Sequence, residues 1–243
     1  MRRLCVVTSW LFVAAVLWDA TALDLPLARL FGSAAGFVWR SDPEVVLWLH
    51  EVPRWLSSAG VVALIVGVKW PWGPLRSLAV RERLELVVAV VAAMAAVTVL
   101  KRLSATSCPW DLSEFGGVAS YVSHWNWLAR DGGGGHCFPG GHASAAFAYV
   151  AAWFALQRRA PLLARRWLAV AVVAGLVLGA VQQVRGAHFM SHTFWSAWVC
   201  WTAGLAVHGC FARLSRGAFI GRTARRGRPA AARPGVDTNL NEV

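Results

Sequence analysis

Six apolar runs dominate the chain, at about 4–22, 55–70, 84–100, 142–157, 167–184 and 189–211. Most approach the roughly 20 residues that a helix needs to cross a hydrocarbon core about 30 Å thick. The expected fold is therefore all-α: a polytopic membrane protein with six transmembrane helices. The run at 55–70 is the weakest, being short and containing Ser57 and Ser58, and the preceding 43–54 stretch could lie in the interface and feed it. Composition agrees, since 57% of the 243 residues are apolar and 15% charged, where globular chains average roughly 25% charged. Fifteen Trp beside two Tyr fit a bilayer protein whose indoles sit at headgroup level. These numbers argue against a water-soluble enzyme and exclude a disordered chain.

The net charge of +12 takes its meaning from its distribution. Six crossings put both termini on one side. Arg2, Arg3, Lys69, Arg76, Arg81, Arg83, Arg158, Arg159, Arg165, Arg166 and seven arginines beyond residue 211 would share that side. Arg29, Arg40, Arg54, Lys101, Arg102, Arg130 and Arg185 fall on the other. The positive-inside rule then places both termini in the cytoplasm and segments 23–54, 101–141 and 185–188 outside. Residues 1–211 form the expected membrane domain, and 212–243 a basic Gly/Ala/Pro-rich tail without a packing pattern, expected to be disordered and cytoplasmic. Arginine-rich flanks are what orientation and anionic lipid already require, so nucleic acid is not expected as a partner. Met1-Arg2-Arg3, an apolar core and Ala20-Thr21-Ala22 also describe a cleavable signal peptide. Asp19 beside that cleavage site and the need for an even helix count favour a retained anchor.

Ionisable residues at the outer helix ends are costly to keep there, which makes them functional candidates. They form three clusters: Lys101 through Asp111, His136 through His142, and Arg185 through His192. In the second, Cys137-Phe138-Pro139-Gly140-Gly141-His142 runs into an apolar helix, and free N–H groups at a glycine-bearing helix start suit an anion. In the third, Arg185, His188 and His192 at i, i+3 and i+7 would share one face if helical. A guanidinium offers a planar fork for phosphate, and an imidazole can act as nucleophile or proton carrier. Lys101 gains its interest from falling on the same side as the other two clusters. Asp111 could orient a histidine or cap a turn.

The order Lys, then Pro-Gly-Gly-His, then Arg and His resembles the type-2 phosphatidate phosphatase superfamily of membrane lipid phosphatases, related to vanadium haloperoxidases. That family carries Lys-x6-Arg-Pro, Pro-Ser-Gly-His and Ser-Arg-x5-His-x3-Asp, after helix three, before helix four and between helices five and six. The resemblance implies that Lys101 binds phosphate and that Cys108-Pro109 stands at the Arg-Pro position. Pro139-Gly140-Gly141-His142 matches the second motif with Gly140 in place of Ser, Gly141 as a backbone donor and His142 as general acid. Gly186-Ala187-His188 matches the segment of the nucleophilic histidine, so the family's Arg falls on Gln182 and its Asp on His192. Arg185 could reach the same phosphate from one turn nearer, with Gln182 or Gln183 donating neutral hydrogen bonds. A register with His192 as nucleophile stays open.

Cys108 and Cys137 are the two cysteines in the outer loops, and an oxidising compartment permits a bridge between them. Six of seven histidines lie outside, but a zinc site needs three or four converging ligands, and the resemblance implies metal-independent chemistry without a cofactor. The expected function is hydrolysis of a lipid phosphomonoester or diphosphate (phosphatidate, phosphatidylglycerol phosphate, undecaprenyl diphosphate or lipid A type) through a phosphohistidine. The active site would face the periplasmic side of the inner membrane. The alternatives are a catalytically impaired lipid-phosphate binder and a phosphotransferase on the same fold.

Overall fold

A computed structural model describes residues 2–226, with side chains to Ser215. The first long helix, α1, spans Arg2–Ala20. A short helix α2 (Asp24–Ala28) and a two-residue hairpin, β1 (Gly32–Ser33) with β2 (Gly36–Phe37), follow. Asp42 then caps α3 (Pro43–Val46), its carboxylate accepting from Val45 N at 2.9 Å. One π-helical turn, Leu47–Glu51, carries α3 into α4 (Val52–Lys69). The second long helix thus begins at Pro43 rather than near 55: an N-cap with proline at the first helical position starts it upstream of the apolar run.

The remaining elements are α5 (Val80–Leu103), α6 (Gly141–Phe147), α7 (Ala151–Leu156), α8 (Pro161–Val184) and α9 (Met190–Arg226). Among the described residues four helical stretches, Arg2–Ala20, Pro43–Ser77, Val80–Leu103 and Pro161–Val184, are long and apolar enough to cross a bilayer. Gly141–Leu156 is apolar but shorter, interrupted by a 3-10 turn at Ala148–Val150. The chain divides into two units, Met1–Gly209 and Cys210–Val243. Residues 212–226 of the expected tail are helical, and its remainder lies outside the described residues.

Within the first unit the core forms where apolar faces meet. Leu86, Ala89, Val90, Ala93 and Val97 of α5 pack on Ala143, Phe147, Ala151 and Ala152 and on Cys200 of α9. On α8 the small residues Ala171, Gly175 and Gly179 are buried, whereas Val170, Val173 and Val177 are exposed, as a helix with one face to protein and one to lipid requires. A side chain at Gly179 would collide with Thr193, so this glycine sets the approach of α8 to α9. Indoles fasten α1 to α9: Trp195 Nε1 donates to Asp19 Oδ2 at 2.9 Å, and Trp201 Nε1 to Thr8 Oγ1 at 2.9 Å. Part of the tryptophan content therefore serves internal packing rather than the interface.

Candidate active site

The long segment between α5 and α6 makes little regular structure, so its backbone is held by side chains and loop pairing. The buried Asp131 carboxylate accepts from Ser107 N at 2.6 Å, Ser107 Oγ at 2.8 Å and Gly133 N at 3.0 Å. Trp110 N donates to Gly186 O at 2.9 Å, tying the first motif to the third. A cluster of Ala28, Phe37, Leu112, Phe115, Ala119 and Phe189 lies under this loop. Cys108 and Cys137 form a disulfide with Cα atoms 5.1 Å apart, stapling the first motif to the second.

Three chain segments, distant in sequence, meet at this end of the bundle. Lys101 closes α5, and its ammonium stands 3.6 Å from where a Cβ on residue 141 would lie. Gly140 caps α6, its N–H donating to His192 O at 3.2 Å, so it is engaged with protein rather than free for a ligand. Ser196 Oγ lies 2.8 Å from Gly140 O and 2.7 Å from His192 O, locking α6 to α9. Gly141 and His142 open α6, where helix geometry leaves N–H groups without intrahelical partners.

The third motif is not one continuous helix. α8 stops at Val184, Arg185 caps it, and Gly186 adopts a φ of +72° that only glycine takes readily. A side chain there would also strike Phe37. His188 therefore sits in the connector and His192 in the first turn of α9, so the shared helical face expected of Arg185, His188 and His192 does not exist. The connector still brings the residues together. His188 Nδ1 is 3.4 Å from His192 Nδ1 and 3.4 Å from Cys137 Sγ, and both imidazoles are buried, at 4% and 1% exposure. Burial, reinforced by the Lys101 ammonium, holds the His188 imidazole well below its ordinary value, so it is uncharged at neutral pH.

Arg185 is 4% exposed and seated by three acceptors. Nη1 lies 2.9 Å from Gln182 Oε1 and 2.9 Å from His50 Nδ1, and Nη2 donates to Arg40 O at 3.0 Å. Its Nε is buried without a partner. Gln182, whose Nε2 donates to Leu49 O at 3.4 Å, is thus occupied with seating Arg185. Nε2 of His142 is likewise buried and unpaired. The rings of His50 and His142 lie against each other with centroids 3.8 Å apart, tilted by 32°.

His50 is the residue that sequence reading counted only among the outer histidines. The signal was present: His50-Glu51 interrupts an otherwise apolar stretch that becomes one long helix, and polar residues placed so are expensive. The π-turn that carries them is itself frequent at functional sites. Asp111, by contrast, is not paired with a histidine among the described residues: its carboxylate lies 3.9 Å from Arg40 Nη2, and its carbonyl accepts from Val118 and Ala119 N–H. Ligand atoms of Cys108, Cys137 and His188 all lie within 4.8 Å of one another, but both sulfurs are in the bridge and offer no thiolate to a metal.

Residues 83–216 match the family model of the PAP2 superfamily. The chain belongs to the PAP2 superfamily. The match contains Lys101, Gly140 through His142 and the whole third motif, whereas His50 and Arg40 lie outside it. PAP2 membership brings phosphatase-type chemistry on phosphate esters, and the apolar helices put that PAP2 chemistry in a membrane protein. No curated protein and no solved structure matches the chain.

Proposed function

We propose that the protein is a lipid phosphatase of six membrane crossings that hydrolyses a phosphomonoester or diphosphate through a phosphohistidine. One observation carries the reading: Nε of Arg185 and Nε2 of His142, two buried nitrogens without partners, belong to one cluster with the uncharged His188 and Lys101. Buried polar atoms left unpaired in a folded protein call for a ligand, and the surplus of cations and imidazoles selects an anion.

Neutral His188, donating its Nδ1–H to Nδ1 of His192, keeps a lone pair on Nε2 for attack on phosphorus. His192 thus does as a neutral acceptor what the family's carboxylate does with charge, and stabilises the resulting imidazolium less. His142, which takes up a proton once the phosphate anion sits against it, gives that proton to the leaving oxygen, and water then hydrolyses the phosphohistidine. Lys101, Arg185 and the Gly141 N–H stabilise the equatorial charge, the main protein contribution to phosphoryl transfer. His50 is a positioning residue: it holds Arg185 through Nδ1 and His142 through its ring.

The charge distribution of the loops favours cytoplasmic termini and a site on the periplasmic face of the inner membrane. Lateral access between helices lets the hydrocarbon chain stay in lipid. The test is phosphate release by detergent-purified protein from a panel of lipid phosphates, with and without EDTA. Turnover that EDTA does not change supports the reading. Binding without release moves the chain to a lipid-phosphate binder, and release only when an acceptor lipid is added moves it to a phosphotransferase.

A further inference from the structure

Beside the catalytic cluster a crevice of about 420 Å³ opens between α4, α5 and α6, lined by Arg54, Lys101, Arg102 and His136 with Gly141 and Ser144. No carboxylate lines it. Arg54 is paired with Glu51 at 2.6 Å, whereas Lys101 and Arg102 have no carboxylate partner among the described residues.

The hydroxyls around the crevice have already used their protons. Ser57 donates to Ala145 O at 2.7 Å, Ser58 to Arg54 O at 3.0 Å, Thr98 to Met94 O at 2.8 Å and Ser144 to Gly141 O at 2.6 Å. The remaining side-chain donors are cationic or imidazole groups, which suits an anion.

The fourth wall is built with care. His136 holds a φ of +57°, rare for a residue with a side chain. It is kept there by His136 N donating to Ser104 O at 2.8 Å and Gly135 N to Ser107 Oγ at 3.1 Å. Such backbone persists where surroundings over-determine it, and it clusters at ligand sites. A second cavity of about 440 Å³, with an apolar lining from α4, α6 and α8, shares Ser57 and Ala145 with the crevice. An anionic head in the crevice can therefore trail a hydrocarbon chain along the helices.

We infer that the crevice is a second anion subsite, and that the substrate is a lipid diphosphate whose inner phosphate rests on Arg102 and His136, with Lys101, which serves the terminal phosphate, at the boundary between the two subsites. The inference rests on the phosphatase reading. His188 Nε2 bonds to the terminal phosphorus while the bond from that phosphorus to the bridging oxygen breaks. The electron pair stays on that oxygen, which takes a proton from His142. The lipid monophosphate remains in the crevice until water releases inorganic phosphate from His188.

The experiment compares phosphate release from a C15 isoprenyl diphosphate and from the C15 monophosphate in the same micelles, for wild type, Arg102→Gln and His136→Gln. A charge-assisted contact of this kind is worth about ten- to a hundredfold. Wild type should favour the diphosphate in kcat/KM by at least about tenfold. Each variant should lose about tenfold on the diphosphate and keep its monophosphate rate. Equal wild-type rates, or equal losses on both substrates, overturn the subsite.

Binding of a C15 methylene diphosphonate against the monophosphonate reads the crevice without turnover. Discrimination that Arg102→Gln abolishes upholds the subsite even if no substrate is cleaved, in which case the phosphatase reading alone fails. Turnover without such discrimination sinks the subsite alone.

Discussion

Nη1 of Arg185 lies 2.9 Å from Nδ1 of His50, a contact across 135 residues that joins the matched PAP2 segment to the helix preceding it. A guanidinium has no acceptor, so the histidine must accept here, which puts the proton of neutral His50 on Nε2, 3.5 Å from Glu51 Oε1. The same ring lies against that of His142, tilted by 32°. One side chain therefore touches both Arg185 and His142, the residues proposed to bind phosphate and to protonate the leaving oxygen.

Replacing His50 should separate these effects. His50→Ala is expected to lower kcat/KM for phosphate release by about ten- to a hundredfold, the range for losing a hydrogen bond to a charged group. His50→Gln keeps an acceptor for Arg185 and should recover part of KM but not of kcat, because its amide cannot stack on His142 as an imidazole does. Steady-state kinetics of both variants, with melting temperatures to show that the fold persists, check this. Equal kcat and KM effects in the two variants would reduce His50 to a packing residue.

His142 is assigned to the leaving oxygen, so its importance must depend on the leaving group. His142→Ala should cost about 10²- to 10⁴-fold on an alkyl phosphate and much less on an aryl phosphate whose phenolate departs without a proton. A loss of the same size on both compounds would remove His142 from proton transfer.

Burial, then Lys101 and the neighbouring histidines, depress the His188 imidazole, opposed by a hydrogen bond to the Cys137 backbone. As pH falls below about 6.5 the unfolded chain takes up a proton at this residue, while the folded chain does not until a lower pH. The stability linked to His188 is therefore complete above that value and is lost as pH falls towards the folded one. The acid limb of kcat/KM due to His188 should lie below the ordinary histidine range, and wild type should lose stability in acid more steeply than His188→Ala. Rate and denaturation measured across pH 4–8 test both signs; an acid limb at the ordinary value would contradict them.

Removing the bridge with Cys108→Ser and Cys137→Ser together should destabilise the protein by about 3–4 kcal/mol, from a sequence separation of 29 residues. Phosphate release should fall as well, because Cys137 Sγ walls His188 Nδ1 at 3.4 Å. Thermal unfolding and turnover of the double variant, with alkylation counts on the parent, provide the check.

Lys101, His142, Arg185, His188 and His192 could be gathered from sequence because each lies within a turn of the end of an apolar run, and helix ends on one side of a bundle converge. His50 escaped that logic because it lies inside a helix, on a π-turn that periodicity does not mark. The interruption at Gly186 escaped because Arg185, His188 and His192 keep helical spacing across a residue that leaves the helix. The early start of the second long helix was written in Asp42-Pro43, a cap signal that apolar length alone overlooks. Gln182 and Gly140 occupy motif positions but spend their hydrogen bonds on Arg185 and His192, which spacing does not reveal.

The central claim is that phosphorus passes through His188. Rapid quenching of a single turnover with a lipid phosphate carrying ³²P in its terminal group should trap an acid-labile, alkali-stable label on the protein. The label should map to His188, vanish in His188→Ala and persist in His192→Ala. A label on His192, or turnover that survives in His188→Ala, would contradict the account.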